Sequence, residues 1–112
     1  MVCTGGLLRH SEQSFLGHIT VQALRLLRPG KVFIGMRSID IDEGLTSDYL
    51  QEVDTDQAII ESRHELIVVA YHSKFGKVSP AFVAPITAIK TIVTMTRRLK
   101  KRSLPFVIWE LM

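Results

Sequence analysis

Apolar side chains recur at two different spacings along this chain, and the alternation between them outlines its elements. Between Ser14 and Arg28 the spacing is helical. Phe15, Leu16, Ile19, Ala23, Leu24 and Leu27 gather on one side, with His18, Gln22, Arg25 and Arg28 on the other. Ser14 offers an N-cap and Pro29-Gly30 a stop, so a helix is predicted over 14–28. Val32–Met36 follows as a short, continuously apolar strand, and Ile39–Ser47, rich in Asp, Glu and Gly, is predicted to be a loop. A second helix is predicted from about Asp54 or Thr55 to Arg63, burying Ala58, Ile59 and Ile60. Leu66–Ala70 is again all apolar, and His72–Val78 is polar with a glycine. Ile89–Thr94 reads as a further strand, followed by a basic helical turn and the apolar segment Phe106–Trp109.

Continuous apolar strands separated by amphipathic helices predict an α/β fold, a parallel sheet covered by helices on both faces. In open parallel sheets ligands sit beyond the carboxyl ends of the strands. That directs attention to two loops. The first, after Val32–Met36, carries Arg37, Ser38, Asp40, Asp42, Glu43, Gly44 and Thr46; the second, after Leu66–Ala70, carries His72, Ser73, Lys74 and Gly76.

Composition narrows the class. With 112 residues, 46% hydrophobic and 22% charged, the chain is one compact domain rather than a disordered or fibrous one. Mean hydropathy is +0.20, but no apolar run approaches the roughly 20 residues that span a bilayer. The start lacks the basic and apolar regions of a secretion signal, and the expected location is the cytoplasm. A single cysteine, Cys3, excludes an internal disulfide and a cysteine-built zinc site; it reads as a small core residue. His10, His18 and His64 have no metal-ligand spacing, and no cofactor is predicted. Net charge is +3, but five of the 14 basic residues lie between Arg97 and Arg102. Without them nine bases face 11 acids, so the body is mildly acidic and no diffuse nucleic-acid surface is encoded.

Three clusters carry candidate chemistry. Thr4-Gly5-Gly6 is either a plain turn or a place where backbone N–H groups approach an anion. Asp40, Asp42 and Glu43 are either a solvated turn or ligand and acid–base groups, with Glu43-Gly44-Leu45-Thr46 setting an acid, a glycine and a hydroxyl together. His72-Ser73-Lys74 offers an imidazole, a hydroxyl and an ammonium after a buried strand, a set suited to phosphate or sugar hydroxyls, and otherwise an exposed turn.

These segments also resemble a known family. Thr4-Gly5-Gly6, Ser14-Phe15-Leu16-Gly17, Lys31-Val32-Phe33-Ile34-Gly35, Glu43-Gly44-Leu45-Thr46, His72-Ser73-Lys74-Phe75-Gly76, Val83-Ala84-Pro85-Ile86 and Thr91-Ile92-Val93-Thr94 occur in this order. Together they resemble the C-terminal sensor domain of the DeoR/GlpR family of bacterial transcriptional repressors, over residues 1–94. The resemblance implies a Rossmann-like fold similar to sugar-phosphate isomerases, sensing rather than catalysis, and a homo-oligomer. It implies a phosphorylated sugar or related metabolite as effector, bound by Gly5, Gly6, Asp40, Glu43, Gly44, Thr46, Ser73 and Lys74, with Lys74 the cationic contact. Operator DNA would be bound only through a winged helix-turn-helix absent from these residues. Two other readings stand beside it: an isomerase-like enzyme fragment with Asp40, Asp42 or Glu43 as base, and a fragment acting only by protein–protein association. The sequence departs from the family at Ala70-Tyr71, where Ala-Asp is usual, and at Gly35–Ser38. It departs again over residues 95–112, a divergent basic segment consistent with a shifted reading frame.

Overall fold

The computed structural model describes residues 1–95 and 106–110. In chain order the elements are β1 (Leu7–Arg9), β2 (Ser14–Leu16), α1 (His18–Arg25), β3 (Lys31–Gly35), β4 (Ser38–Asp40), β5 (Gly44–Ser47), α2 (Leu50–Ser62), β6 (Glu65–Ala70), β7 (Ala81–Ala84), β8 (Thr91–Met95) and β9 (Phe106–Glu110). They form three sheets, of order β1-β2, β3-β6-β8-β9 and β4-β5-β7. The fold is therefore mixed α/β around three parallel strands, with two α-helices among the described residues.

The β-branched runs make the parallel sheet. Val32 pairs with Leu66, Ile34 with Val68, and Val68 in turn with Ile92, so these five side chains share one face. They are buried together with Val53 and Ile60 of α2 and with Ile39, Leu45, Val83 and Ala84 of the smaller sheet. Strand β9 closes one edge antiparallel to β8, with Thr91 opposite Glu110. Helix α2 has no side-chain N-cap, so packing of Val53 and Ile60 into this core holds it rather than its own end.

Four expectations are corrected. The helix expected over 14–28 begins only at His18, because Gly17 sits at φ 94° and Ser14–Leu16 is drawn into an antiparallel pair with Leu7–Arg9. It also ends early, at Arg25, with Leu26 beyond it exposed, and Ile19 in its first turn is exposed as well. The segment 39–47 is a β-hairpin rather than a loop, Ile39 facing Leu45 and Asp40 facing Gly44. All four residues of β5 are buried between β4 and β7, which removes the polar–apolar alternation that would have marked a strand. The second face of the parallel sheet is not covered as predicted: Phe33 is 67% and Val69 46% exposed there. Cys3 is exposed, not a core residue. The basic turn expected at 97–102 lies outside the described residues.

Candidate functional site

Strands β3 and β6 run parallel and in register, so their carboxyl ends open side by side. A cleft of about 540 Å³ lies there. Met36, Val69 and Ala70 give it an apolar part, and most of its other lining residues are polar. Arg37 enters from the segment after β3, Tyr71 and Lys74 from the turn after β6, and Glu52 and Asp56 from the inner side of α2. The β1–β2 hairpin reaches across to add Glu12 and Ser14.

The charges of this cleft are unevenly satisfied. Arg37 contacts Asp48 at 3.3 Å and Glu12 at 3.8 Å. Glu52 is paired with Arg9, whose guanidinium also lies 3.8 Å above the centroid of the Tyr49 ring. Among the described residues Asp56 and Lys74 are the lining charges that belong to no ion pair. Burial pushes the Asp56 carboxyl up to about 7; Glu52 adds to the shift and Arg37 opposes it. The arrangement thus offers one uncommitted ammonium and one carboxyl that titrates at about 7, beside apolar lining. A polar molecule with an anionic group suits such a cleft, whose size lies within the ordinary range for small-molecule sites.

The residues singled out from the sequence are distributed differently from a single cluster. Lys74 lines the cleft, with the exposed Ser73 beside it on the same 3-10 turn, His72–Lys74. Asp40 accepts the backbone N–H groups of Asp42 and Glu43 at 3.0 and 2.9 Å, holding the β4–β5 turn. Glu43 is exposed at that turn. Gly44, at φ 79°, lies so close to β7 that a Cβ would meet the Ala84 carbonyl oxygen at 2.4 Å. Thr46 is buried and its hydroxyl accepts the Ser79 N–H at 2.8 Å; its neighbour Ser47 lines the cleft. Gly5 accepts the Thr20 hydroxyl on its carbonyl at 2.6 Å, and at Gly6 a Cβ would overlap that same hydroxyl. The two glycines therefore seat the β1–β2 hairpin on α1, and the hairpin carries Glu12 and Ser14 to the cleft.

Glu52 and Asp56 were not found from the sequence. The signal was present: they are four apart on one helix and so share a face, but a helix start placed at Asp54 put Glu52 outside it. Among the described residues no group of three or more His, Cys, Asp or Glu is gathered to hold a metal ion, and no helix is long and apolar enough to cross a membrane.

Comparison with known proteins bears on what such a cleft serves. The family described as the DeoR C terminal sensor domain matches residues 1–96. A putative sgc region transcriptional regulator of Escherichia coli K12 is 31% identical over 90 residues, covering 80% of this chain and 35% of the regulator. The transcriptional repressor AccR of Agrobacterium fabrum is 37% identical over 92 residues, with the same shares of 80% and 35%. The glycerol-3-phosphate regulon repressor of E. coli K12 is 29% identical over 94 residues, covering 84% of this chain and 37% of the repressor. The chain thus spans little more than a third of the length of these relatives, which are transcriptional regulators rather than enzymes.

Proposed function

Because the chain belongs to the family of DeoR C-terminal sensor domains, we propose that it senses a phosphorylated sugar or related metabolite for a repressor of sugar metabolism, in the cleft at the carboxyl ends of β3 and β6. The observation that carries this reading is Lys74, which lines the cleft without an ion-pair partner among the described residues. An ammonium left without an acidic partner in a partly apolar cleft favours an anionic ligand. In this reading Ser73 and Lys74 touch the effector directly. Asp40, Glu43, Gly44 and Thr46 shape the hairpin that leads into Ser47 and α2, and Gly5 and Gly6 set the β1–β2 hairpin over the cleft. The parallel strands with a site at their carboxyl ends fit a Rossmann-like fold akin to sugar-phosphate isomerases. Tyr71 in place of the family's Asp removes one pocket carboxylate and speaks against isomerisation.

Operator binding belongs, on this reading, to a winged helix-turn-helix module outside these 112 residues, in the cytoplasm, where effector binding shifts the balance between two states of the repressor. The open apolar face at Phe33 and Val69 favours self-association as well. A thermal-shift screen tests the reading with ribose 5-phosphate, glucose 6-phosphate, fructose 6-phosphate and glycerol 3-phosphate, each beside its free sugar or polyol. A ligand that binds only the folded chain raises its melting temperature. The expected result is a rise with at least one phosphorylated compound, none with its unphosphorylated partner, and loss of the rise in Lys74→Ala. A cooperative melt that no compound moves overturns it.

A further inference from the structure

Asp56 is the one acidic group of the cleft wall that no described residue neutralises by pairing. The groups around it come from every element that borders the cleft. Of the cleft's other polar lining residues, Glu52 lies one turn away on α2 and Arg37 follows β3, and these two are the charges that act on the Asp56 carboxyl; Glu12 is on the β1–β2 hairpin, and Tyr71 and Lys74 follow β6. Glu52 is held by Arg9, and Arg37 is shared between Glu12 and Asp48. With Asp56 ionised, the lining charges are three acids against two bases, so a doubly charged anion beside Lys74 would enter a wall of net negative charge. With Asp56 protonated the wall is balanced, and its hydroxyl becomes a donor. An acid facing an anion in a partly desolvated site is more stable neutral than charged.

We propose that Asp56 is a ligand-binding residue that acts as a neutral carboxylic acid, donating a hydrogen bond to the anionic group held by Lys74, so that binding a phosphate ester takes up one proton from solvent. The inference rests on reading the cleft as the effector site, and it adds to that reading which protonation state the site requires. The carboxyl is prepared for this role before any ligand arrives, since burial and Glu52 already place its titration at about 7. Phosphate esters themselves lose a proton near neutrality, which would blur the effect, so the useful probe is sulfate, a dianion throughout the range of interest.

Carbon-detected NMR of the full chain follows the Asp56 carboxyl over about pH 5 to 9, with Asp56→Asn to assign the signal, first alone and then with sulfate in excess. The expected result is an upward move of the titration midpoint by about one unit on adding sulfate. That move should be absent in Lys74→Ala. Correspondingly, sulfate affinity should fall about tenfold as the carboxyl ionises in the wild type and stay flat in Asp56→Asn. A midpoint that stays put while sulfate still shifts the Lys74 signals overturns proton uptake and leaves the effector site standing. If neither sulfate nor any of the four phosphorylated compounds moves the Lys74 signals, the reading of the cleft fails and proton uptake falls with it.

Discussion

Gly44 is fixed by geometry on two counts. Its φ of 79° disfavours any side chain, and β7 passes so close that a Cβ would overlap the Ala84 carbonyl oxygen. Gly44→Ala should therefore destabilise the chain by about 2–3 kcal/mol, whereas Gly30→Ala, with open space around it and an ordinary φ, should change stability by less than about 0.5 kcal/mol. Urea denaturation of the two variants side by side checks this. Asp56 gives the second prediction. Its folded-state titration lies above the ordinary 3.8, so the folded chain holds a proton that the unfolded chain has lost between those values. Stability is greatest below about pH 4 as far as this group is concerned, and falls as pH rises to about 7. Asp56→Asn should accordingly be more stable than wild type at pH 8, by about 1 kcal/mol once screening by cleft water is allowed for. The gain should shrink toward pH 4, as denaturant midpoints at the two pH values would show.

The β4–β5 hairpin links the core to the site. Leu45 is wholly buried between the smaller sheet and the parallel one, while its neighbours Thr46 and Ser47 bind Ser79 and line the cleft. Leu45→Ala should cost about 3–4 kcal/mol, the transfer of the lost atoms plus the cavity left behind, measured by chemical denaturation. Helix α2 does two things at once through its periodicity. Val53 and Ile60 point into the core, and Glu52 and Asp56, four apart, point along the neighbouring face to the cleft. Its existence could be read from the sequence, but its true start at Leu50 could not. No capping side chain marks that end, and Leu50 itself is exposed. The hairpin was hidden for the opposite reason: strand β5 is buried on both faces and made largely of Gly, Thr and Ser, which elsewhere signal turns.

Among the described residues, one face of the parallel sheet is covered by α2 and the smaller sheet, and the other leaves Phe33 and Val69 exposed while Ile67 on it is buried. An apolar face of this kind favours association. Phe33→Ser should reduce self-association, seen as a lower weight-average sedimentation coefficient at high concentration, with stability changed by no more than about 1 kcal/mol because the side chain is already exposed.

The parallel strands, the two helices as elements, the presence of a cleft beyond the ends of β3 and β6, and the family itself were all legible in the sequence. Each is written in local periodicity or in short motifs: Val32 and Ile34 on the edge strand β3 and Leu66 and Val68 on the interior strand β6 are apolar because they face the core, and Lys74 follows a buried strand directly. Tertiary structure decided which residues meet. It assigned Asp40, Gly44 and Thr46 to hairpin contacts, shortened α1 by pairing Ser14–Leu16 with Leu7–Arg9, and left Phe33 and Val69 exposed on one sheet face. It also brought Asp56 from a helix to the same cleft as Lys74, eighteen positions away in the chain. Periodicity fixes which face of an element is apolar; the partner of that face, and the charge left unpaired beside it, depend on contacts between elements that no local pattern encodes.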